Sequence, residues 1–175
     1  RQTGKTWLMR QAMAALGRGR PDEFLVGMMS MQGVFMEDDD PPEEFLRRVP
    51  QLMSLAFDAD VAVPADWEGM KDLFRADAAL FDRPVILLVD EFDNLPQGVI
   101  DRLVAMFRDI YLSRQRHCLH GLALIGVRAV MGVESRRGSP FNIQRSIHVP
   151  NLTHAEVTEM FDQYRCESGQ VVEVA

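Results

Sequence analysis

The chain has 175 residues, 47% of them hydrophobic and 26% charged, which is enough for one core and too little for two. A formal net charge of −7 gives no overall positive field for nucleic acid, and the longest apolar stretches fall short of a membrane span. The 2 cysteines, Cys118 and Cys166, lie far apart without a repeated spacing, which suits reduced thiols in a cytoplasmic protein better than a disulfide framework.

In chain order, the opening "RQTGKT" matches the second half of the phosphate-loop pattern GxxxxGK[ST] through Gly4, Lys5 and Thr6. That alignment puts the pattern's first glycine about two positions before Arg1, so an upstream strand and glycine are expected. Leu8, Met9, Ala12, Met13 and Leu16 follow at helical spacing, with Gly17 placed as a C-terminal cap. "EFLVGMMSM" predicts a strand over Phe24–Met31. The acidic "MEDDDPPEE" reads as a solvated loop, because adjacent aspartates lack the paired spacing of a calcium loop. Pro41 and Pro42 then start a helix that Pro50 should bend or divide, with Phe45, Leu46, Val49, Leu52 and Met53 on one side. Trp67, Met70, Leu73, Phe74, Ala78 and Phe81 again recur at helical spacing, and Trp67 is read as packing, not as a base-stacking platform.

"RPVILLVDEFDNLPQG" carries the second informative pattern. Val85 to Val89 form an unbroken apolar run, the mark of a parallel strand covered on both faces, and it ends in Asp90 and Glu91. Ligands of parallel sheets sit at such carboxyl ends. Val99 to Tyr111 mark an amphipathic helix, and "GLALIGV" is a further buried strand ending near Arg128. "SIHV" is a short strand, and Thr153 with Glu156 is spaced as a capping box for a last helix. His117, Cys118 and His120 in "RHCLH" lack a second pair of metal ligands and read as a cation cluster at a helix C-terminus. Every crossover is long enough for a parallel sheet, so the expected fold class is α/β, a three-layer doubly wound parallel sheet.

A phosphate loop surrounds phosphates with backbone N–H groups at a helix N-terminus, adds a lysine charge, and offers a Ser/Thr hydroxyl to Mg²⁺. An apolar strand ending in Asp-Glu about eighty residues later supplies the Mg²⁺-side carboxylate and a general base in the order that nucleotide hydrolases use. The bland alternative is that Asp90 and Glu91 end a strand and start a turn with Asp93 and Asn94, but two acids closing a fully apolar strand call for a cation or donors to offset them.

At these residues the sequence resembles the P-loop NTPases of the AAA-like and STAND type, relatives of the origin-recognition-like AAA ATPases. "TGKT" is similar to the second half of Walker A, "VILLVDEFD" to Walker B, and "LALIGVR" to the strand bearing sensor 1. "GSPFNIQRSIHVPNLTHAEV" resembles the passage from the last core strand to the helical lid in bacterial AAA-like domains. The resemblance implies a P-loop core lacking its first strand over 1–150 and the start of a lid over 151–175. It implies ATP and Mg²⁺ as cofactors, with Thr3, Gly4, Lys5, Thr6 and Trp7 at the nucleotide and Thr6 and Asp90 at the metal. Glu91, Lys5 and Arg128 carry catalysis in that reading. Many AAA proteins have Asn or Thr where Arg128 stands, and an arginine there fits STAND-like switches better. Arg136 and Arg137 lie in the loop where related proteins place an arginine finger, although solvated loop arginines are commoner.

The function implied is a nucleotide-driven conformational switch, a module that binds and hydrolyses ATP. The alternatives are a DNA-associated loader or transposition-type ATPase and a nucleotide-binding scaffold with little turnover. Expected partners are the nucleotide and a protein partner or a second copy, with DNA reached through domains outside the chain, and no membrane. Without the family's first strand, residues 1–175 alone are expected to bind ATP poorly and to aggregate through exposed strand edges.

Overall fold

The computed structural model describes residues 4–20, 22–126, 149–150 and 152–170. Its chain divides into a larger unit, Thr6–Gln144, and a smaller one formed by Arg1–Lys5 and Arg145–Ala175. Thr3, Arg128, Arg136 and Arg137, and nearly all of the expected strand "SIHV", lie outside the described residues.

The larger unit is mixed α/β, built on three parallel strands: β1 (Leu25–Ser30), β2 (Val85–Asp90) and β3 (Leu119–Leu124), in the order β1-β2-β3. Leu25 pairs with Val85 and Ser30 with Asp90, so β1 and β2 end flush. The unbroken apolar run of β2 is explained by its central place. Val85, Leu87 and Val89 enter the main core from one face, while Leu88, pointing the other way, is buried as well. β1 comes so close to the ring of Phe57 that a β-carbon on Gly27 would overlap it, which accounts for glycine inside an apolar strand.

The helices follow the apolar stripes, with three differences. α1 (Lys5–Gly19) runs past Gly17, which is helical and not a cap: the ladder continues until Arg20 N–H donates to Leu16 O at 2.9 Å. Met9 is the one buried residue of α1. Pro41 precedes a 3₁₀ segment, Pro42–Arg48, and α2 (Val49–Phe57) begins where Pro50 falls in its first turn, so the proline divides the two because its missing N–H costs nothing there. α3 (Trp67–Asp72) is capped by Asp66, whose Oδ1 accepts from Gly69 N–H at 2.7 Å. It stops well before Phe81, against the helical spacing. Beyond Asp72 the backbone finds partners at the entry to β3: Cys118 N–H donates to Phe74 O (2.8 Å) and Ala76 N–H to Arg116 O (2.9 Å). Phe74 is fully buried all the same, and the Phe81 ring packs against it and against Phe57. α4 (Gln97–Leu112) buries Val99, Ile100, Leu103, Met106, Phe107 and Ile110 at regular helical spacing.

In the smaller unit, α5 (His154–Ser168) starts with the capping box its sequence predicts. Glu156 N–H donates to Thr153 Oγ1 (3.3 Å), Thr153 N–H donates to Glu156 Oε2 (2.7 Å), and Gly169 ends the helix at φ 68°. No residue of α5 is buried. Among the described residues, no helix is long and apolar enough to cross a membrane.

Candidate functional site

The site lies at the carboxyl end of β2. Asp90, its last residue, is the one charged side chain buried among the described residues, at 6% exposure. A carboxylate held there needs donors, because desolvation of a charge is costly. Two are present: Glu91 N–H donates to Oδ1 at 3.0 Å, and the Thr6 hydroxyl donates to Oδ2 at 2.8 Å. Thr6 stands in the first turn of α1, 84 positions earlier in the chain. The start of a helix and the end of a central strand thus meet through one charge-assisted hydrogen bond.

Glu91 follows directly, in the left-handed region at φ 55°, ψ 36°, where a side chain other than glycine costs about 1 kcal/mol or more. The turn after it overrides that preference. Asn94 N–H closes back on Glu91 O (3.0 Å), Phe92 is fully buried in the core, and Phe92 N–H donates to Ile125 O at 2.9 Å. Ile125 N–H in turn donates to Val89 O at 2.8 Å, so the pairing of β2 and β3 continues past both strand ends. Glu91 is left half-buried, its Oε2 accepting from Asn94 Nδ2 at 3.1 Å. The turn with Asn94 is the one its sequence offers as the plain alternative for these acids, and the side-chain bond to Glu91 adds to it.

Thr6, Asp90 and Glu91 therefore come together. Of the other expected loop residues, Gly4 has φ 71°, a conformation that favours glycine, and Lys5 is the first residue of α1; both group with the smaller unit. Trp7 is 65% exposed. His117, Cys118 and His120 point to separate partners. His117 Nδ1 lies 3.1 Å from Ser113 O at the end of α4, Cys118 Sγ donates to Phe74 O at 3.1 Å, and His120 packs on the Phe24 ring with centroids 5.0 Å apart. Burial pushes the Cys118 thiol above its ordinary value.

Chemically, a hydroxyl and a carboxylate held within one hydrogen bond form a hard-oxygen pair. Such a pair matches a small divalent cation that takes one or two protein oxygens and keeps several waters. Among the described residues there is no cluster of three or more His, Cys, Asp or Glu side chains that would enclose a metal by itself. Comparison with protein-family models finds no match to this chain, and comparison with curated proteins finds none either.

Proposed function

We propose that the chain is the core of a P-loop ATPase of the AAA-like or STAND type, a module in which ATP binding and hydrolysis drive a conformational switch. The observation that carries this reading is the Thr6–Asp90 hydrogen bond at the carboxyl end of a central parallel strand. The hydroxyl of a GK[ST] motif and the acid closing an apolar strand are the two groups that nucleotide hydrolases bring to one metal. The three described strands, in parallel order, suit the doubly wound core that this reading requires.

The donor set fits Mg²⁺ accompanying ATP: Thr6 and Asp90 would hold it, and the hydrogen bond between them would give way to ligation. When bound, Mg²⁺ neutralises charge on the β- and γ-phosphate oxygens. Glu91, next to Asp90 in sequence and half-buried, is the group to orient the attacking water and accept its proton. Gly4 and Lys5 are assigned to the phosphates by resemblance, the first for its backbone N–H and the second for its ammonium. Thr3 and Trp7 are assigned to the nucleotide, and Arg128 to the γ-phosphate, by resemblance. ATP is preferred to GTP because no guanine-reading motif occurs in the sequence.

Phosphate release by the full-length protein tests this. Wild type should release phosphate with Mg²⁺ and ATP, and Glu91→Gln should lose about 10²- to 10⁴-fold in kcat while still binding a fluorescent ATP analogue. Equal rates remove Glu91 from the reaction, and the absence of Mg²⁺-dependent nucleotide binding overturns the proposal.

A second reading, a nucleotide-binding scaffold with little turnover, draws on the Asn94–Glu91 hydrogen bond, which occupies the carboxylate that the hydrolytic reading needs. Binding of the analogue without Glu91-dependent phosphate release would favour it.

A further inference from the structure

We infer that Asp93 is a positioning residue, which ties the turn carrying Glu91 to the exit of β3 by seating its carboxylate against Gly126. The inference rests on the hydrolytic reading above and names the device that sets Glu91 in place.

Four observations converge on it. Glu91 itself sits in an unfavourable left-handed conformation, so something must hold the turn. Phe92, next in sequence, is anchored on both counts available to it, by a fully buried ring and by the hydrogen bond to Ile125 O. Asp93 then places a buried carboxylate oxygen beside Gly126. A β-carbon built on Gly126 would stand 2.6 Å from Asp93 Oδ1, 2.8 Å from Cγ and 3.2 Å from Cβ, so the aspartate fills the space that any other residue at 126 would need. Gly126 thus has a steric reason to be glycine that its own backbone does not give, because its φ is not in the left-handed region.

The chain from Glu91 to Asp93 is short and pinned at both following residues. A shift of the Asp93 seat carries its neighbour Asn94 with it, and Asn94 is the residue whose N–H and side-chain amide hold the Glu91 carbonyl and carboxylate. A misplacement of about 1 Å at a catalytic group costs on the order of 10²-fold in rate. The consequence concerns turnover more than affinity, because the Thr6 hydroxyl donates to Asp90 Oδ2 without passing through the turn.

The test uses phosphate release by the full-length protein with MgATP. Gly126→Ala should lower kcat by about 10- to 100-fold and change KM by less than about threefold. Asp93→Ala, which adds no clash, should lower kcat in the same way and decides the matter if Gly126→Ala does not fold. The double variant should fall no further than Asp93→Ala alone, because the alanine at 126 then has nothing to displace. Wild-type kcat in Asp93→Ala, losses that multiply in the double variant, or a fall in Tm with kcat retained would each overturn the inference. If wild type shows no turnover that depends on Glu91, the hydrolytic reading itself is lost and this inference with it. Turnover that depends on Glu91 but ignores Asp93 removes the inference alone.

Discussion

Replacing Thr6 with valine keeps the shape of the side chain and deletes the donor to Asp90 Oδ2. Asp90 is 6% exposed, and its other oxygen keeps the Glu91 N–H at 3.0 Å, so the variant leaves half of a buried carboxylate without the donor it had at 2.8 Å. A hydrogen bond to a charged group contributes about 1.5–3 kcal/mol. Thr6 is itself only half-buried, so water can replace part of the loss, and the lower end, about 1.5–2 kcal/mol, is expected. For a domain of this size that is a fall in Tm of roughly 3–8 °C. Differential scanning calorimetry without nucleotide reads it directly, and Thr6→Ser, which restores the hydroxyl, should recover most of the difference. A Thr6→Val protein that melts with wild type would refute the premise that this bond fastens α1 to the sheet. The hydrolytic reading would then lose its principal support, whatever the nucleotide assays show.

Two further outcomes follow from the chemistry of single groups. The Glu156 carboxyl is held below its ordinary value by the Thr153 backbone N–H and hydroxyl, so its contribution to α5 is complete above the unfolded value of about 4.3 and is lost as pH falls through the lowered one. The Glu156 side-chain carboxyl signal should titrate below its ordinary range, and the Thr153 amide should shift toward its unstructured value as it does; a Thr153 amide constant down to about pH 2 would contradict the capping box. In native protein, iodoacetamide should label Cys166, which is exposed, well before Cys118, whose thiol burial pushes up and which donates to Phe74 O. Peptide mass spectrometry at a series of times reads the order, and simultaneous labelling would refute it.

What the sequence made legible was whatever depends on neighbours along the chain. The strand Val85–Asp90 was visible as an apolar run because both its faces are covered, and α4 was visible because six of its residues enter the core at helical spacing. The capping box of α5 is local by nature. The failures share a cause. Helical spacing from Trp67 to Phe81 matches burial at every named position but Ala78, which is exposed, yet the backbone after Asp72 pairs with residues 116 to 118, a partner no local pattern can announce. Gly17 looked like a cap, but the helix ran on through Gly19, and nothing in the spacing marks two extra residues. At the site, motif spacing singled out Thr6, Asp90 and Glu91. The Asn94 bond and the Asp93 seat against Gly126 arise from the path of one turn in space, which spacing along the chain does not encode.

The parallel pairing of β1 with β2 also has a temporal side. Leu25 finds its partner in Val85, 60 positions further on, and Thr6 finds Asp90 84 positions on. At a ribosomal rate of about 5–20 residues per second, the apolar segment Leu25–Met29 emerges roughly 3–12 s before the strand that will cover its edge. During that interval it is a sticky, unpaired ribbon, and loop closure over such distances makes the pairing slow even when both halves exist. The bond between Thr6 and Asp90 waits for the same event, because its acceptor is the last residue of that late strand.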